Sequence, residues 1–327
     1  MKKILIGIAV AVILFLSVIL YIHVALPNVD PAPELSVEIT EERLIRGAYL
    51  ANHVAACMDC HAVRDWSLYA APPMEGSLGA GGERFGPEMG IPGELHSANV
   101  TPFNMAKYTD GELFRLITTG VTRDNRVLFP LMPYTAYSRM DREDVNSIIA
   151  YIRSLEPIEK EIPASRVDFP VSLFIKLAVP EFADVKRPDA ADRLAYGQYL
   201  TTIGACADCH NYSDGPNTDF ENPFRGGMEF KFSSGAITRS ANITPDSTTG
   251  IGLWTEQMFV DRFKAFDPDS TAFVPVMDGG FNTPMPWTMY AGMQDDDLRA
   301  IYAYLRTVKP VKSAVERFSP PASASRQ

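Results

Sequence analysis

The sequence predicts an all-α fold, with two tandem helical modules behind an N-terminal transmembrane helix. Three observations carry this expectation. An apolar run from Ile4 to Leu26 is broken only by Gly7, Ser17 and His23, and about 20 such residues in helical form span a hydrocarbon core. A set of short motifs occurs twice, in the same order, across the rest of the chain. Helical apolar spacing recurs at matched places in both copies, and no stretch shows sustained strand alternation.

The apolar run follows Lys2 and Lys3. A cleaved signal has a shorter apolar core and a small-residue cleavage site. Here the run is long and ends in His23-Val24-Ala25-Leu26-Pro27-Asn28, a poor site, so residues 1–26 read as an uncleaved single-pass anchor. The two lysines keep the N-terminus cytoplasmic and place everything after Pro27 on the exported side. In a bacterium this is the periplasmic face of the inner membrane. Residues 27–39, with Pro31 and Pro33, read as a stiff spacer.

The first module, residues 40–158, opens with Thr40-Glu41-Glu42, a capping hydroxyl and two acids suited to a helix start. That helix runs through Leu44, Ala48 and Leu50 towards Cys57-Met58-Asp59-Cys60-His61. The second module, residues 190–311, repeats the arrangement, with Gly197-Gln198-Tyr199-Leu200 matching Gly47-Ala48-Tyr49-Leu50 ahead of Cys206-Ala207-Asp208-Cys209-His210. A glycine at one place in both copies points to a close helix crossing. Further matches are Ala98-Asn99-Val100-Thr101-Pro102 with Ala241-Asn242-Ile243-Thr244-Pro245, and Met132-Pro133-Tyr134 with Met285-Pro286-Trp287. Each module closes with a helix, over Val145, Ile148, Ile149 and Ile152 or over Leu298, Ile301, Tyr302 and Leu305.

A middle helix follows Thr109 and Glu112 in one module and Thr255 and Glu256 in the other. Gly- and Pro-rich segments, Pro72 to Gly93 and Gly215 to Gly235, read as loops, and the repeated Gly81-Gly82 and Gly226-Gly227 read as tight turns. Residues 159–189 carry Pro163, Pro170, Pro180 and Pro188 and form a linker. Its apolar stretch Val171 to Val179 is too short to span a bilayer, and we expect it in the crevice between modules rather than on the membrane surface. Residues 312–327, rich in Ser, Ala and Pro, read as a disordered tail.

The spacing Cys-x-x-Cys-His is that of c-type haem attachment. One turn of chain sets two thiols under the two vinyl groups of a porphyrin, and the next residue offers an imidazole to the iron. Cys57, Cys60 and His61 would hold one haem c, and Cys206, Cys209 and His210 a second. These motifs use all four cysteines, leaving none for a disulfide. A composite zinc site from the same four thiols is the competing reading, but it would not need a repeated methionine-proline-aromatic element downstream.

Histidines besides His61 and His210 are few: His23 lies in the apolar run, and His53 and His96 lie in the first module alone. Methionine, whose thioether raises haem potential, is then the leading sixth ligand. Among 13 methionines, Met132 and Met285 occupy matched positions before proline and an aromatic. The matched Met140 and Met293 read as packing. His53 and His96 remain rivals at the first iron.

With these motifs the sequence resembles class I cytochrome c in tandem. More closely, it resembles the multihaem cytochrome c subunits of membrane-bound bacterial alcohol, gluconate and aldehyde dehydrogenases. The likeness spans about residues 40 to 311. It rests on Ala241-Asn242-Ile243-Thr244-Pro245-Asp246 running to Gly250-Ile251-Gly252-Leu253-Trp254-Thr255, and on Leu128-Phe129-Pro130-Leu131-Met132-Pro133-Tyr134. The resemblance implies two cytochrome c-like haem domains that pass electrons from a dehydrogenase to a quinone, a soluble cytochrome or a terminal oxidase. Two departures stand out: three haem motifs in the alcohol dehydrogenase subunits become two here, and Phe103 to Tyr108 replaces the Gly-Ile-Gly-x-Trp element in the first module.

An enzymatic alternative is a dihaem peroxidase or a thiosulfate-oxidising cytochrome. It needs an open iron with an acid–base group or a spare cysteine, and only His53 and His96 are available. A haem subunit of an oxidase complex shares every haem feature. The net charge of −10 argues against nucleic-acid binding.

Overall fold

Two pairs of helices, each crossing at a glycine, form the frame of the chain beyond its first helix. The computed structural model describes residues 1–214, 217–267 and 273–322. It is helix-rich, and its first helix, α1 (Lys2–Ala25), has a mean hydropathy of 3.0 and stands clear of the rest of the chain over its most apolar window. At about 1.5 Å per residue this helix is long and apolar enough to cross a membrane.

The first half contains α2 (Glu41–Tyr49), which runs on into a π turn at Leu50–Val54, then α3 (Cys57–Cys60), strands β1 (Arg84–Phe85) and β2 (Gly93–His96), α4 (Pro102–Met105), α5 (Asp110–Thr119), α6 (Tyr134–Tyr137) and α7 (Arg142–Ser154). The connecting segment carries β3 (Arg166–Val167) and α8 (Val171–Phe174). The second half contains α9 (Arg193–Ile203), α10 (Cys206–His210), β4 (Glu229–Lys231), β5 (Ile237–Arg239), α11 (Glu256–Lys264), α12 (Trp287–Tyr290), α13 (Asp295–Leu305) and β6 (Phe318–Ser319).

The expected caps are in place. Thr40 accepts from Arg43 N, Thr109 and Glu112 form a reciprocal capping box, and Thr255 accepts from Met258 N. In the first half α2 crosses α7, and in the second α9 crosses α13. A Cβ on Gly47 would lie 1.9 Å from the Ser147 carbonyl oxygen, and one on Gly197 would lie 1.9 Å from that of Ala300. Both crossings are therefore closed to any larger residue.

Beyond the helices, each half has a three-stranded antiparallel sheet, in the orders β1-β2-β3 and β4-β5-β6. The all-α expectation has no place for these sheets. Their strands are two to four residues long, too short to leave an alternating pattern in the sequence. The third strand in each sheet comes from chain that follows the closing helix, the connecting segment in one half and the C-terminal tail in the other. The tail expected to be disordered instead pairs Phe318 with Thr238, and the Arg239 N–H donates to the Arg317 carbonyl at 3.0 Å. Residues 323–327 of that tail, and 215–216 of the second glycine-rich loop, lie outside the described residues.

One apolar core runs through both halves, with Leu50, Leu113, Ile148 and Ile149 from the first and Leu200, Ile203, Leu298 and Leu305 from the second. The spacer docks rather than standing free: the Val37 N–H donates to Asp110 Oδ2 at 2.8 Å, and Gly111 leaves room for the Pro33 carbonyl. The apolar stretch Val171 to Val179 does not enter a crevice. Phe174 and Leu177 are each 56% exposed, and the segment lies against α1. After it the chain is pinned to the first half, with Phe182 edge-on to Phe114 and the Ala183 N–H donating to the Ser138 carbonyl.

Candidate haem-binding site

Each attachment motif sits on a single turn of helix entered from a left-handed residue, Ala56 (φ 48°) before Cys57 and Ala205 (φ 53°) before Cys206. The turn puts the two cysteines of each motif three residues apart, on one helix face. All four are free thiols. Among the described residues no group of three or more His, Cys, Asp or Glu side chains stands together in a metal-holding cluster, so the four thiols do not gather into the composite zinc site.

Both histidines are held alike. His61 Nδ1 lies 2.7 Å from the Ala98 carbonyl oxygen and His210 Nδ1 lies 2.8 Å from that of Ala241. A carbonyl only accepts, so each Nδ1 carries the proton and each Nε2 keeps its lone pair. Burial lowers the pKa of both rings, that of His210 to about 4, which keeps them neutral near pH 7.

The repeated glycines build this hold. Gly81 N–H donates to the His61 carbonyl at 3.0 Å and Gly226 N–H to the His210 carbonyl at 2.7 Å. Both have positive φ, 64° and 71°, and both press on the carbonyl that takes the ring proton. A Cβ would lie 2.3 Å from the Ala98 oxygen or 2.5 Å from the Ala241 oxygen. The repeated Asn-x-Thr fixes the same loop from the other side. The Asn99 and Asn242 amides donate to the Ile158 and Val311 carbonyls at 2.8 Å, while their side-chain oxygens accept from Thr101 and Thr244. Repetition marks these residues in the sequence, but only the folded chain relates them to the rings.

The methionine elements lie beside the attachment turns. Tyr137 at the end of α6 donates to the Ala55 carbonyl at 2.9 Å, and Tyr290 at the end of α12 to the Gly204 carbonyl at 3.0 Å. These carbonyls stand just before Cys57 and Cys206. Met132 and Met285, immediately upstream of α6 and α12, are half-buried. Met140 and Met293, at 0% and 2% exposure, belong to the core, where packing suffices to explain them. His53 is engaged elsewhere: its Nδ1 lies 2.8 Å from the Met289 carbonyl, and its ring fills the space over Gly292. His96 lies in β2, where its backbone N–H donates to Ser165 Oγ and, among the described residues, its buried ring Nδ1 has no hydrogen-bond partner.

The boundary between the halves carries a reciprocal pair of bonds that the sequence did not reveal. Tyr49 OH donates to Asp297 Oδ2 at 2.6 Å and accepts from Gln294 N–H; Tyr199 OH donates to Asp144 Oδ2 at 2.6 Å and accepts from Asp141 N–H. The tyrosine of each Gly-x-Tyr-Leu repeat thus clasps the start of the closing helix in the other half. The approaches to the two attachment turns meet at this boundary: a Cβ on Gly204, two residues before Cys206, would lie 3.3 Å from the carbonyl oxygen of Val54, three residues before Cys57.

No family model matches the chain. The cytochrome c subunit of alcohol dehydrogenase (quinone) from Gluconacetobacter polyoxogenes is 27% identical over 282 residues, covering 81% of this chain and 56% of that one. The fructose dehydrogenase cytochrome subunit of Gluconobacter japonicus is 29% identical over 289 residues, 82% of this chain and 53% of its own. A diheme c-type cytochrome of Cereibacter sphaeroides is 25% identical over 291 residues, 86% of this chain and 90% of its own. This chain resembles cytochrome c subunits over most of its length. It spans a little over half the length of the dehydrogenase subunits.

The residues fit the haem c of such cytochromes. Each motif presents two thiols from one helical turn, and beside them stands an imidazole whose Nδ1 is already engaged, leaving Nε2 as the donor. His53, held through its Nδ1, does not stand free as an acid–base group.

Proposed function

We propose that the chain is a membrane-anchored dihaem c-type cytochrome, with α1 in the bacterial inner membrane and the remainder on the periplasmic side. It carries electrons from a periplasmic dehydrogenase to a respiratory acceptor, whether a quinone, a soluble cytochrome or a terminal oxidase. The observation that carries this reading is the duplicated His–carbonyl–glycine hold, at His61, Ala98 and Gly81 and at His210, Ala241 and Gly226. A pair of ligand holders with the same construction suits a pair of like cofactors. Bound there, haem c supplies a reversible one-electron couple at each motif.

The chain's own residues do the rest. Cys57 and Cys60, and likewise Cys206 and Cys209, bind through thioethers. His61 and His210 would offer Nε2 to the bound haems, made more basic by the carbonyl on Nδ1. Met132 and Met285 would each offer a thioether to one of the bound haems and so would keep other ligands out. The clasp at Tyr49 and Tyr199 keeps the two attachment turns at a common boundary, a placement that favours transfer within the chain.

Three measurements test this. Pyridine haemochrome analysis should give two haems c per chain. The reduced native protein should not bind carbon monoxide readily. Met285→Ala should keep both haems attached, lower one potential and admit carbon monoxide at that iron. A single haem, rapid carbon monoxide binding by the native protein, or an unchanged titration in Met285→Ala would each sink the corresponding assignment.

A further inference from the structure

We propose that residues 169–177 form a second membrane contact, resting on the periplasmic surface of the bilayer beside α1; this rests on the reading of α1 as an anchor. The segment comprises Phe169-Pro170, the single helical turn α8 and a 3-10 turn at Ile175–Leu177. Phe169 is 73% exposed, and Phe174 and Leu177 are 56% exposed. Single exposed apolar residues are ordinary, but here two phenylalanines and a leucine crowd into nine residues.

Continuity with α1 says what covers them. Lys176 Nζ donates to the His23 carbonyl at 3.1 Å, in the last turn of α1, and α8 lies against that helix. Ile22 is the one buried residue of α1, at 9% exposure. A 24-residue helix is about 36 Å long against a hydrocarbon core of about 30 Å, so its last turn stands at the headgroup level. Whatever touches that turn stands there too. Phenylalanine and leucine beside a lysine suit this depth, the rings and chains entering the acyl boundary and the ammonium reaching the phosphates. The opposite ends of the segment are fixed to the first half, by β3 in its sheet and by Phe182 on Phe114. The contact therefore sets how the first half faces the membrane.

The test uses the full haem-loaded chain in nanodiscs of phosphatidylethanolamine and phosphatidylglycerol. The native cysteines are taken up as thioethers, so an introduced thiol is the one that labels. Phe174→Cys and Leu177→Cys, each carrying an environment-sensitive fluorophore, should be quenched about twofold or more by nitroxides on the lipid acyl chains and little by aqueous iodide. Phe220→Cys, at a residue 78% exposed in the second half, should show the reverse. Ile13→Cys, within α1, reports on the anchor. Quenching by lipid at 13 but by iodide at 174 and 177 overturns the surface contact and leaves the anchor standing. Iodide quenching at all three positions overturns the anchor and the contact with it. Protection from both quenchers at 174 and 177 means that protein covers the patch, and it also overturns the proposal. As a second arm, Phe174→Glu should lower lipid quenching of a label at 177, and an unchanged signal counts against the contact.

Discussion

At Ala98 and Ala241 one backbone carbonyl meets both a histidine ring and the α-carbon of a glycine. The spacing of thiols and imidazole at Cys57 to His61 and at Cys206 to His210 is a local pattern with few other uses than haem attachment, and so it stands out in the sequence. The double glycines that steady it read only as turns, since a contact between Gly226 and Ala241 leaves no local pattern. That contact can be broken. In Gly226→Ala a methyl would have to fit 2.5 Å from the Ala241 oxygen at a φ of 71°, a conflict of about 1–3 kcal/mol. We expect lower stability in urea together with a shifted potential at the second haem alone, as read by potentiometric titration. A loss of stability with both potentials unchanged would mean that the glycine serves the loop and not the ring.

Among the elements, the long helices were legible and the strands were not. Thr40, Thr109 and Thr255 announce helix starts through a hydroxyl followed by acids, a signal contained in four residues. The sheet strands depend on chain that arrives much later, as when Phe318 pairs with Thr238, and the composition of the tail pointed the other way. The matched glycines of α2 and α9 did point to close crossings, and the crossings set their value. Gly197→Ala must displace the backbone of α13, because the atom met at 1.9 Å is the Ala300 carbonyl and no side chain can yield there. The expected loss is about 1–3 kcal/mol. Equilibrium unfolding against the unaltered chain measures it.

Across the whole molecule the halves are joined by polar bonds as well as by core. Asp144 is fully buried, and burial alone would raise its carboxyl. Hydrogen bonds and charge from Arg46, Tyr199 and Arg187 outweigh this and hold it below the ordinary carboxylate value. A group depressed in the folded state contributes stability above its unfolded pKa of about 4 and loses it as pH falls through its folded value. Unfolding midpoints should therefore drop below about pH 4, and Asp144→Asn should flatten that acid limb while lowering the plateau at neutral pH. The counterpart bond gives a simpler test. Tyr49→Phe leaves Asp297 without its 2.6 Å donor and should cost about 1.5–3 kcal/mol in urea, as for other bonds to charged groups. These residues escaped sequence reading because the partners of Tyr49 lie 248 and 245 positions away.

The same distance along the chain has a consequence in time. The loop at Trp66 to Ala70 is completed by residues near the far end: Tyr69 N–H donates to the Val274 carbonyl, Val276 N–H to the Ser67 carbonyl, and the Asn282 side chain bonds both Ala70 and Trp66. During synthesis the segment around Cys57 exists for some 200 residues before these partners emerge. The loop that follows the first Cys-x-x-Cys-His motif is thus completed only after the chain from Val274 to Asn282 has been made.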